Sequence, residues 1–184
     1  MDQRLLRRGA GRLLSAAPGS GVFTGYASLF GRRDSQGDAV MAGAFTATLK
    51  RRGPEGIRML FQHNPAEPVG TWLELKETER GLYVRGRLNK DVQRGRELLS
   101  LLEAGGLDGL SIGFKTVRAR KDRATATRQL LEIDLWEISL VTFPMLDGAR
   151  VSAVKSFGKS RAWTHAEGFF NTQNKTETIT QSIT

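Results

Sequence analysis

Cysteine is absent from the 184 residues, which excludes disulfides, thiol catalysis and zinc sites built on thiolates. Histidine is nearly absent: there is His63, and there is His165 in a polar C-terminal stretch. That leaves too little for a His-rich metal site, so neither a metal nor any other cofactor is expected. No stretch approaches the roughly 18 apolar residues of a spanning helix, and no uninterrupted apolar run of signal-peptide length is present, so no membrane role is expected. Acidic residues are outnumbered, 19 against 28 Lys and Arg, which gives a formal charge of +9 and favours acidic partners. Nucleic acid is the obvious one. The basic residues are nevertheless dispersed apart from a cluster at 118–128, and no aromatic ladder is interleaved with them, so no specific nucleic-acid partner is expected. The cluster reads as a solvated loop, a protein-docking patch or a nucleic-acid surface.

What is present fits one domain with tails. Arg4, Arg7, Arg8 and Arg12 alternate with Leu5, Leu6, Leu13 and Leu14. This imitates a transit peptide or a membrane-surface helix, and reads best as a flexible basic arm over 1–21. A core follows over 22–154. From 155 to 184 the composition turns to Thr, Ser, Asn, Gln and Lys, a polar mobile tail by the same reasoning.

Within the core, 22–30 reads as a strand and 31–38 as turn. Residues 43–52 suit a short helix stopped by Gly53-Pro54. Residues 57–63 read as a strand with Ile57, Met59, Phe61 and His63 on one face, ended by Asn64-Pro65. A hairpin is expected from 71–76 and 81–88. A helix to about 104 follows, capped by Asn89 or Asp91, with an apolar stripe of Val92, Gly95, Leu98, Leu99 and Leu102 and a stop at Gly105-Gly106. Strands are expected at 110–118, 129–142 and 149–154; the second, apolar on both faces toward its end, should be central. Several strands with few helices predict a mainly β (α+β) fold with peripheral helices, closed or nearly closed into a barrel.

Three residues carry candidate chemistry. Ser111, in Leu110-Ser111-Ile112-Gly113-Phe114, alternates away from the apolar face. It is either an ordinary polar residue of a solvent-facing strand or a nucleophile beside Gly113, which would give a substrate backbone room. His63 is either a core histidine or the neutral-pH base. Glu137, in Trp136-Glu137-Ile138-Ser139, is either the partner of an arginine or the carboxylate that orients His63. Ser139 shares its face and is a candidate hydrogen-bond member of the same site. Oxyanion donors would come from the backbone near Gly113 or from Arg118. The chain order His, Ser, Glu is that of none of the chymotrypsin, subtilisin or α/β-hydrolase triads.

Those blocks, together with Gly25-Tyr26-Ala27, Phe30, residues 34–38, Gly43-Ala44-Phe45, Gln62-His63-Asn64, Gly70, Gly81-Leu82 and Glu137-Ile138-Ser139-Leu140-Val141-Thr142-Phe143-Pro144, resemble the prohead (capsid-maturation) protease family of tailed phages, distantly similar to the herpesvirus assembly protease. The resemblance implies a barrel of the herpesvirus-protease type. It also implies a serine endopeptidase over 22–154 that cleaves scaffold or major-capsid-protein segments inside an assembling prohead in the host cytoplasm, as a monomer or a homo-oligomer. Herpesvirus enzymes use a second histidine where this chain offers Glu137. Two other readings compete: an internal scaffold or core protein that keeps the fold with little catalysis, and a nucleic-acid-binding barrel.

Overall fold

The computed structural model describes residues 20–155 and 160–162. The arm expected at 1–21 and the tail expected at 155–184 lie outside the described residues, apart from Ser20, Gly21, Lys155 and a three-residue strand.

Strands β1 (Val22–Leu29), β2 (Asp38–Val40), β3 (Arg58–Phe61), β4 (Asn64–Glu77), β5 (Gly81–Leu88), β6 (Gly109–Lys121), β7 (Arg128–Val141), β8 (Val151–Lys155) and β9 (Ser160–Ala162) form one sheet, with helices α1 (Thr46–Arg52) and α2 (Gln93–Ala104) packed on it. β7 organises it. Leu130, Ile133, Leu135, Ile138, Ser139, Leu140 and Val141 are all buried, the run of a strand covered on both faces. One edge of β7 pairs antiparallel with β6 along its whole length. A strand has only two hydrogen-bonding edges, so β2 (Asp38↔Arg128) and β3 (Arg58↔Glu137) share the other, both parallel.

Beyond β3 the order runs β4, β5, β1, β8, β9. Phe23, Met59, Leu82, Leu88, Leu98, Leu110 and Leu135 are fully buried in one core cluster drawn from the sheet and α2, each worth about 1.5–3 kcal/mol of apolar burial. Leu98, Leu99 and Leu102 are the buried stripe of α2, which Gly105 ends at φ +79, where glycine is free of the Cβ penalty.

The closed or nearly closed barrel is not formed. β6 and β8 touch through one bridge, Gly109↔Arg150, with Leu110 N–H donating to Ala149 O and Val151 N–H to Asp108 O. The ladder goes no further, because β8 gives one edge to β1 and the other to β9 at Ala153–Lys155. Among the described residues the structure is therefore mostly β, one open sheet with two helices.

Local boundaries differ too. β3 stops at Phe61, and β4 begins at Asn64 rather than near 71. Pro65 and Pro68 do not end a strand there: the β3–β4 register shifts around Leu60↔Pro68, and bulges are where a residue without an N–H is tolerated. Neither Asn89 nor Asp91 caps α2; Val92 holds that position, while Asn89 Oδ1 accepts the Asp91 N–H.

Candidate active site

The register of β6 on β7 sets Ser111 opposite Ser139 and Gly113 opposite Glu137. Directly opposed residues of an antiparallel pair share a face, so these four form one patch. Gly113 is required there: a Cβ on it would stand 2.0 Å from Glu137 Oε1. The space beside Gly113 is thus filled by the Glu137 side chain, whose Oε1 also meets the His63 ring of the β3–β4 turn.

That turn consists of Gln62 and His63, with φ of +53° and +59°. Positive φ at both central residues is what a two-residue type I′ hairpin demands, normally met by Asn-Gly. Two bulkier residues hold such angles at a cost of roughly 1 kcal/mol or more each. His63 is consequently not on the inward face of a strand with Ile57 and Met59; it projects from the turn with 41% of its side chain exposed.

Its Nδ1 lies 2.6 Å from Glu137 Oε1. Ser139 Oγ donates to the other oxygen, Oε2, at 2.7 Å, and accepts the His63 N–H at 3.0 Å. The hydrogen bond that His63 donates to Glu137 holds its pKa above the ordinary 6.5, outweighing the opposite pull of burial.

Ser111 is 5% exposed. It is buried, not on the solvent-facing strand that alternation suggested. Its Oγ makes no hydrogen bond among the described residues and opens on a cavity of about 300 Å³ that His63 also lines. The walls are apolar (Ala27, Val40, Leu110, Ile112, Phe114, Leu146) and further polar lining comes from Ser28 of β1, from Arg32, Asp34 and Gln36 of the β1–β2 connection and from Asp38 of β2. Of the residues singled out in the sequence, His63, Ser111, Gly113, Glu137 and Ser139 converge. Arg118 does not: it faces Glu132 seven residues along β6 from Ser111, about 23 Å at the rise of an extended strand. Among the described residues no cluster of His, Asp or Glu could hold a metal.

Sequence reasoning missed the cavity residues of the β1–β2 connection and the Gln62 contact, in which Nε2 donates to Thr142 Oγ1 at 2.7 Å. Residues 34–38 and Gln62 stood out only as blocks of the family resemblance; their roles depend on which strand lies alongside.

A family model described as caudovirus prohead serine protease matches residues 12–162. The prohead protease of Enterobacteria phage HK97 is 38% identical over 138 residues, 74% of this chain and 61% of that protein, so the chain spans about six-tenths of that relative. The capsid assembly protease of bacteriophage T4 shares the fold, with a TM-score of 0.56 at 14% identity over 67% of this chain and 82% of that one. A KSHV protease solved with a hexapeptide phosphonate inhibitor is more distant, with a TM-score of 0.47 at 14% identity over 71% and 63% of the two chains. With the family's pattern running through nearly all of the described residues, the chain belongs to the caudovirus prohead serine proteases.

Proposed function

We propose that the protein is a serine endopeptidase acting during maturation of a tailed-phage or phage-like particle, with Ser111 as nucleophile, His63 as general base and Glu137 as the carboxylate that orients it. The observation that carries this reading is the 2.6 Å contact of His63 Nδ1 with Glu137 beside a cavity that both His63 and Ser111 line. With Nδ1 committed to the carboxylate, the neutral ring carries its proton there and leaves Nε2 free as the acceptor.

In the reaction, Ser111 Oγ bonds to the scissile carbonyl carbon as its proton passes to His63 Nε2. The tetrahedral intermediate collapses, the peptide C–N bond breaks, and the leaving amine takes the proton from His63. Water then repeats the sequence on the acyl-enzyme. Glu137 stabilises the imidazolium in both halves. The apolar cavity suits a peptide side chain next to the scissile bond. Substrates would be flexible segments of scaffold or major capsid protein, met inside the prohead in the host cytoplasm.

The test is incubation with the cognate capsid protein and sequencing of new termini. Wild type is expected to generate one or a few defined termini and Ser111→Ala none, with its fold intact, because removing one hydroxyl from a cavity wall costs little stability. Processing by Ser111→Ala at the wild-type rate would contradict the assignment and favour a scaffold protein that keeps the fold.

A further inference from the structure

The turn that presents His63 has a geometry its own residues do not favour, and β7 holds it in place. Gln62 N–H donates to Leu140 O at 3.0 Å, Gln62 Nε2 to Thr142 Oγ1 at 2.7 Å, and His63 N–H to Ser139 Oγ at 3.0 Å. Ser139 is fully buried and is not among the residues that line the cavity. Its one hydroxyl proton goes to Glu137 Oε2 and its lone pair to the His63 backbone. A single oxygen therefore fixes both the backbone that carries the imidazole and the carboxylate that faces it. An isolated turn with these φ values would relax; here the strain is retained by bonds from one strand, the arrangement expected where a side chain must be held in a set orientation.

We propose that Ser139 is a positioning residue, tying the His63 turn and the Glu137 carboxylate into one unit, and that the Gln62–Thr142 bond is a second fastening of the same turn. This rests on the serine endopeptidase reading and adds to it the device by which β7, the strand that also sets the register of Ser111, brings base and nucleophile into line.

The experiment is saturation kinetics of Ser111 phosphonylation by a fluorophosphonate, combined with hydrogen exchange of the His63 amide. Ser139→Ala is expected to lower the limiting rate about 100-fold, the scale of an ångström-sized misplacement, with the half-saturating concentration unchanged because the cavity is untouched. Ser139→Thr, which restores the hydroxyl, should recover part of that loss. Gln62→Gly separates positioning from stability: glycine adopts positive φ freely while the amide bond is lost, so the protein should be no less stable yet several-fold slower. Thr142→Val should slow it equally, and the pair together no further. A Ser139→Ala variant that reacts at the wild-type limiting rate would overturn the proposal, as would a Gln62→Gly variant that loses stability and keeps its rate. Failure of wild type to react would remove the protease reading itself. Hydrogen exchange then decides the positioning claim by itself: the His63 amide should exchange faster in Ser139→Ala, and unchanged protection would refute it.

Discussion

Asp134 and Glu137 stand three residues apart on β7, with side chains 18% and 13% exposed, and their surroundings differ in kind. Asp134 takes two hydrogen bonds from Arg52, at 3.0 and 2.9 Å, and others from Arg51, Thr48 and the Trp136 indole. Arginine stays charged at every relevant pH, and the Arg52 and Trp136 hydrogen bonds hold the Asp134 carboxyl well below the usual carboxylate range. This pair is permanent. It fastens α1 to the sheet, assisted by Leu135 N–H donating to Thr48 Oγ1. Glu137 faces a group that changes charge near neutrality and a hydroxyl that changes none. Enclosure of a carboxylate thus says little about its role, and the partner's ability to titrate says more.

The largest effect should come from removing each charge in turn. In chymotrypsin-type enzymes the acid-to-amide change costs about four orders of magnitude in kcat. Glu137→Gln should cost less, because the amide still fills the space over Gly113 and Ser139 still holds the His63 backbone. Asp134→Asn should lower the melting temperature and leave kcat unchanged. Parallel measurements of cleavage rate and thermal unfolding check both, and a reversed pattern would move the catalytic carboxylate to Asp134.

pH sharpens the same contrast with smaller effects. His63 must be neutral to accept a proton, so activity should rise with pH through a midpoint above 6.5. In Glu137→Gln the carboxylate whose charge-assisted hydrogen bond raises the pKa is gone and burial remains, so the midpoint should fall. The stability signs are opposite for the two pairs. The His63–Glu137 contribution is present below the unfolded value of 6.5 and is lost as pH rises through the raised folded pKa. The Asp134 contribution is present above 3.8 and is lost as pH falls toward its depressed folded pKa. Urea unfolding between about pH 3 and 8 should show Asp134→Asn flattening the acid limb.

How far the sequence could be read follows the same division between local and distant causes. β5, β7 and the stripe of α2 were legible because alternation, double-sided apolarity and a glycine stop are properties of one segment. The open sheet was not, because closure turns on which strand takes the outer edge of β8, and β9 comes from a stretch whose composition carries no strand signal. The Gln62–His63 turn was hidden for the same reason. It contains no glycine and is followed by Asn64-Pro65, so its positive φ angles come from bonds to Ser139, Leu140 and Thr142, more than seventy residues away in sequence. The residue types of the candidate site could be picked out as blocks, but the placement of Glu137 over Gly113 required the register of β6 on β7.

The central claim is that Ser111 is a nucleophile activated by His63, and locating a covalent adduct tests it most directly. After treatment with a fluorophosphonate and proteolytic mapping by mass spectrometry, the account predicts phosphonylation at Ser111 in the wild-type protein and its loss in His63→Ala. An adduct on another residue, or equal labelling of Ser111 in both proteins, would contradict it.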